Sequence, residues 1–331
     1  MNHQSIILSI ILVSIICVYG CADGNNYTPV KIERFDKDLI ISLDSSSDKV
    51  SKDLFINKYS DLINIYCNRV LRCSTANDTV NDPLGNISII YKNGDFRKLY
   101  DDTEKEFKEL SETENELTIG FGRYSEIFPD KTIPVIYSHV SGFAQSVITS
   151  DSLISIALDN YLGEDYAGYK GVFYDYQLKD RSKSRIAPDV MRAWLYTEFP
   201  DKRENKTLAD RMIYEGAVLY TLQKLLPDRT VFDLLNYNND RIKWSKENEK
   251  NIWQFILKSN HLYSTDAVVS AKYINNAPYN MFLGKEAPGE LGRWIGYKIV
   301  SGYIDNTNDG ELRKLLSDPG NTIEILKKSG Y

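Results

Sequence analysis

Histidine is scarce. There are three in 331 residues, and His3 falls in the leading apolar segment. His139 and His261 remain, and neither has a second histidine at the i, i+4 spacing that puts two imidazoles on one metal. Histidine-based metal chemistry therefore has thin support. The chain also lacks a G-x-S-x-G elbow, a glycine-rich phosphate loop followed by Lys-Ser/Thr, and a nucleophilic Cys with a nearby His motif. No basic stripe is present and the net charge is -6, which argues against nucleic acid as a partner. No run after residue 20 is long and apolar enough to span a bilayer: stretches such as 135–140 are broken by polar residues. No repeat and no long linker divides the chain.

Residues 1–20 contain no Asp, Glu, Lys or Arg, so only the α-amino group carries charge there. What they do contain is an apolar run, 5–19, ending in Val18-Tyr19-Gly20-Cys21. The length suits a cleaved signal better than a spanning helix, and a small residue before a cysteine is what a lipoprotein signal peptidase requires. Cys21 is expected to be the lipidated first residue of the mature protein, held at a bacterial membrane and facing the periplasm or the cell surface. An uncleaved anchor and an ordinary secretory signal are the alternatives.

Cysteine is also sparse. Cys17 leaves with the signal and Cys21 carries lipid, so only Cys67 and Cys73 remain to pair. Apolar Phe55, Tyr59, Leu62, Ile63, Tyr66 and Val70 recur at helical spacing through 54–71. Six residues along such a helix span about 9 Å, beyond disulfide reach. Two buried thiols are expected, and a bridge would require the helix to end near Leu71.

The rest reads as an α+β protein, predominantly helical with a small sheet. Residues 1–20 form the signal, 21–29 a lipidated tether and 30–331 one domain, mainly helical over 30–128. β-branched tracts at 132–140 and 152–158 predict strands, and 164–185 predicts a loop. Helices follow at 188–199, 207–226, 240–260 and 288–304, with Pro200 and Pro227 as stops.

Chemistry concentrates on the helix at 207–226. Leu208, Met212, Leu219, Leu222 and Leu226 share a face with Glu215, and a carboxylate in an apolar stripe needs a partner. Arg211, at i-4, is the nearest candidate. The pair reads either as a structural ion pair or as a catalytic or ligand carboxylate. Glu198 lies on the core-facing arc of 188–199, and if it met Glu215 the two could act as a general acid and base. Gly292 and Gly296, one turn apart, predict close approach of another backbone. Four tryptophans and 23 tyrosines supply a core or, alternatively, an aromatic ligand groove.

Residues 154–163, 187–200, 210–216, 263–266, 273–278 and 288–300, in this order, resemble the GldB gliding-motility lipoprotein family of Bacteroidota. The resemblance extends to the lipid-attachment Cys21. It implies a place with the gliding and type IX secretion machinery of the cell envelope, with other envelope proteins as partners. It also implies a distant likeness of residues 129–331 to zincin-like peptidases, whose H-E-x-x-H helix corresponds to Tyr214-Glu215-Gly216-Ala217-Val218. Only the glutamate survives there, which implies a pseudoenzyme with no metal and no cofactor beyond the covalent lipid. The alternative is a peptidase or cell-wall hydrolase that uses Glu215 with a metal held by groups other than histidine.

Overall fold

The computed structural model describes residues 26–43, 48–73, 82–307, 310–318 and 320–331. Cys21 and the leading segment lie outside them. Strand β1 (Ile32–Glu33) runs into helices α1 (Phe35–Leu43), α2 (Lys49–Lys58), α3 (Ser60–Ile65), α4 (Pro83–Tyr91), α5 (Gly94–Glu106) and α6 (Ser111–Ile127). Strands β2 (Val135–His139), β3 (Val147–Thr149) and β4 (Leu153–Ala157) follow. The chain continues as α7 (Asp175–Leu178), α8 (Ile186–Glu198), α9 (Leu208–Leu225), α10 (Val231–Leu234) and α11 (Asn239–Lys258). It closes with α12 (Ala267–Ile274), α13 (Leu291–Asp305), α14 (Glu311–Ser317) and α15 (Thr322–Ser329). The fold is thus helix-dominated α+β. Among the described residues no helix is long and apolar enough to cross a membrane.

The sheet order is β1-β2-β4-β3, with β1 and β4 parallel to β2 and β3 antiparallel to β4. Every residue of β4 is buried, as a central strand covered on both faces must be. Its side chains alternate between two cores. Ile154 and Ile156 join Leu117, Phe121, Trp194 and Met212, whereas Leu153 joins Phe35, Leu62 and Tyr100 on the other side. The sheet is therefore a partition with helices on both faces. Segment 30–128 is not confined to one of them: β1 pairs with β2, and α6 packs beside α8 and α9. The end of the expected tether also packs, since Tyr27 lies against Gly122 and donates to Glu126 at 3.0 Å.

Helix α9 is capped by Thr207, whose hydroxyl accepts from the Asp210 amide while Asp210 accepts from the Thr207 amide, and it ends two residues before Pro227. Its apolar surface is not the single stripe read from the sequence. Tyr214, Gly216, Ala217, Val218 and Tyr220 are buried as well, so Asp210, Arg211 and Glu215 share what polar edge remains on its first half. The most extensive helix contact of the fold is between α9 and α13. At their crossing, a Cβ on Gly296 would overlap the Met212 carbonyl oxygen, and one on Gly216 would overlap the Gly296 backbone. Gly292 meets a different neighbour, Tyr273 and Ile274 of α12.

The distance argument against Cys67 and Cys73 fails here. The helical run turns into a π-helix at Tyr66–Val70, and Arg72 adopts a left-handed φ of 51°. Cys73 N donates to Cys67 O at 3.0 Å and the sulfurs lie 2.7 Å apart. Both are thiols, as expected, with Cys67 buried and Cys73 half-buried, but they touch instead of standing about 9 Å apart as a straight helix would hold them.

His139 ends β2 with no exposure, its Nδ1 2.7 Å from the Ser155 hydroxyl and its ring edge-on to Tyr66. Burial lowers its pKa to about 3, against a weaker upward pull from Asp36. The folded value lies below the unfolded one, so the unfolded chain binds the extra proton as pH falls. Stability from a neutral His139 is full above about pH 6.5 and is lost as pH drops toward the folded value, at about 1.4 kcal/mol per pH unit. Urea unfolding of the detergent-solubilised full chain at pH 7 and pH 5 should give wild type a loss about 2 kcal/mol larger than that of His139→Gln. Equal losses would mean that the imidazole reaches water.

Candidate functional site

Three helices bring one charged cluster together. Glu215 on α9 accepts a hydrogen bond from the Tyr196 hydroxyl of α8, 2.7 Å from Oε2. Arg293 of α13 places Nε 3.1 Å from the same oxygen, with its N–H poorly aligned, so this is an ion pair rather than a well-formed hydrogen bond. The guanidinium also donates from Nη1 to Glu290 at 2.7 Å and from Nη2 to Tyr196 at 3.3 Å. All four groups are largely buried. Burial pushes the Tyr196 hydroxyl up to about 12, with Arg293 opposing and Glu215 reinforcing the shift. Burial also works against the charge on Arg293, but Tyr196, Glu215 and Glu290 outweigh it and hold the guanidinium firmly protonated.

The partner of Glu215 is therefore Arg293, not Arg211. No carboxylate lies within 4.0 Å of the Arg211 side chain among the described residues. Arg211 instead lines a hollow of about 310 Å³ beside Glu215, together with Lys206, Tyr214 and Ser270. Glu198 does not join the cluster: Lys131 pairs with it at 2.8 Å and Tyr124 lies 3.5 Å away. The two glutamates share no partner, so the acid–base couple considered from the sequence is not assembled.

Glu290 precedes α13 with a left-handed φ of 60° although it is not glycine, and it is 8% exposed. Such a conformation costs about 1 kcal/mol or more, and here it turns the Glu290 carboxylate back onto Arg293. Gly289 presses on Ala277 and its carbonyl accepts from Tyr237, which fixes the turn. Tyr196, Glu290 and Arg293 were not singled out from the sequence. The available signal was the clustering of Gly289, Glu290, Gly292 and Arg293 around one helix start.

A metal does not fit beside Glu215. A cation, Arg293, already pairs with it, and among the described residues no three His, Cys, Asp or Glu side chains are placed to hold an ion. An aromatic groove built on tryptophan does not form either: Trp194 and Trp294 are core, and Trp244 and Trp253 pack against it. An open apolar hollow of about 870 Å³ lies elsewhere, lined by Ile89, Phe96, Leu99, Phe143 and Tyr166.

A family model described as gliding motility protein GldB matches residues 22–331. No curated protein and no solved structure matches the chain.

Proposed function

Because the chain belongs to the gliding motility protein GldB family, we propose that it is a lipid-anchored envelope protein that works through contacts with motility or secretion partners rather than by catalysis. The observation that carries this reading is the state of Glu215. A general acid and base couple needs two carboxylates that converge, whereas Oε2 of Glu215 takes both Tyr196 and Arg293, and Glu198 is paired apart from it with Lys131. The cation beside Glu215 is a fixed guanidinium, which has no open coordination position to bind and activate a water. The zincin-like ancestry belongs to the same proposal: the resemblance sets Tyr214-Glu215-Gly216-Ala217-Val218 of α9 against the H-E-x-x-H helix, and Arg293 would supply the positive charge that a metal supplies in such enzymes. Lipid on Cys21 would provide the anchor.

The test is complementation of a gliding bacterium that lacks its own family member. Wild type and Glu215→Gln should both restore spreading when present at equal levels. Loss of rescue by Glu215→Gln at wild-type abundance would overturn the non-catalytic reading, because glutamine keeps the shape and removes only the charge and the base.

A further inference from the structure

Across Arg293 from the Glu215 hollow lies a second basin, of about 280 Å³, with four guanidinium groups in its wall. Arg293 is balanced by Glu215 and Glu290. The other three are not balanced in the same way. Arg185 is 7% exposed and its nearest carboxylate, Asp189, is 3.7 Å away. Arg181 and Arg192 have no carboxylate within 4.0 Å among the described residues. Arg181 donates to Ser146 and Asn160 and lies over the Phe173 ring at 3.9 Å. Arg185 and Arg192 both donate to one acceptor, the Leu234 carbonyl, each at 3.0 Å, so two like charges are held side by side.

Three acids, Asp180, Asp189 and Glu290, share the wall, and none of them is paired with Arg181 or Arg192. Asp180 accepts from Asn236 at 2.7 Å and from Asn276 at 2.8 Å, and Asp189 accepts from Tyr161 at 3.1 Å. The Nε groups of Arg181 and Arg185 are buried without an acceptor. Buried donors left unmade cost about 1–3 kcal/mol each, more when charged, so both guanidinium groups are held under-satisfied. Neighbouring Lys179 has its pKa lowered chiefly by burial, with Arg241 and Arg185 adding to the shift and Asp180 and Glu290 opposing it.

We propose that this basin binds a phosphate group, free or esterified, with Arg181, Arg185 and Arg192 as its donors. A guanidinium fork matches the oxygen edge of phosphate, and a charge near -2 answers the two arginines that lack an acid. A single carboxylate would leave one of them unmatched. The assignment does not depend on the role proposed for Glu215.

Isothermal titration of the full chain in detergent with inorganic phosphate tests it, against sodium chloride at equal ionic strength. Saturable binding of one phosphate per chain is expected, at least tenfold weaker in Arg192→Gln and unchanged in the surface variant Arg313→Gln. Glycerol 3-phosphate as a second titrant distinguishes the sources. Binding of inorganic phosphate alone assigns a free-anion site and binding of both assigns an esterified group, and either supports the proposal. No saturable heat in wild type, equal loss in Arg313→Gln, or equal binding of acetate would overturn it. Arg181→Gln replaces Arg192→Gln if the latter fails to fold, and the wild-type titration decides by itself if neither folds.

Discussion

Gly296→Ala is expected to lower the unfolding free energy of the full chain by about 3 kcal/mol, read by urea unfolding in detergent. The added methyl group would overlap the Met212 carbonyl oxygen, a backbone atom that cannot swing aside as a side-chain end can. Helix α13 would have to retreat from α9, and it also packs against α12 and α15, so relief at the crossing opens contacts on its other sides. Gly216→Ala meets the same crossing from α9 and should cost a similar amount. Gly94→Ala is the control. A Cβ there has nothing within 4 Å, so its effect should be within a few tenths of a kcal/mol of zero or stabilising. A Gly296→Ala protein that unfolds at the wild-type midpoint would mean that the two helices do not approach this closely. The crossing also matters to the site, because Gly216 follows Glu215 directly and Gly296 lies one turn beyond Arg293. Spreading the helices separates the ion pair as well.

Arg293→Met should cost about 4 kcal/mol, within the range for removing one partner of a buried pair. Methionine keeps much of the apolar stem, so the loss comes chiefly from the charge and its donors. Two carboxylates, Glu215 and Glu290, would then be left in a largely buried site with only Tyr196 donating to one of them. Glu215→Gln should cost less, because Glu290 still balances the guanidinium and the Tyr196 hydroxyl keeps an acceptor. The double variant separates the two effects. If the pair is coupled, Arg293→Met with Glu215→Gln should be less damaged than the sum of the single variants by more than about 1 kcal/mol. Additive losses would show that the two side chains do not interact in solution.

Much of the framework was legible without coordinates. Apolar residues at helical spacing and the stops at Pro200 and Pro227 marked α8, α9, α11 and α13 to within a few residues, and β-branched tracts marked β2 and β4. Strands β1 and β3 were missed because two or three residues carry no readable alternation, and only pairing with β2 and β4 defines them. Glu215 was recognisable as a carboxylate that needs a partner, since its surroundings on α9 are apolar.

Which partner it takes was decided by tertiary structure alone. Helical periodicity reports neighbours on one helix, so it pointed to Arg211. The answer, Arg293, depends on where α13 crosses, and that depends on glycines fitting backbone to backbone. The same limit separated Glu198 from Glu215, since two residues on core-facing arcs need not face the same part of the core. The Cys67–Cys73 contact needed a π-turn and a left-handed Arg72, conformations that no residue pattern in that tract specifies. Sequence determined which segments are helices and which side chains cannot stand alone in an apolar interior, because both follow from local pattern and solvation. Only the packed fold decided which of those side chains meet, because that is set by contacts between segments distant along the chain.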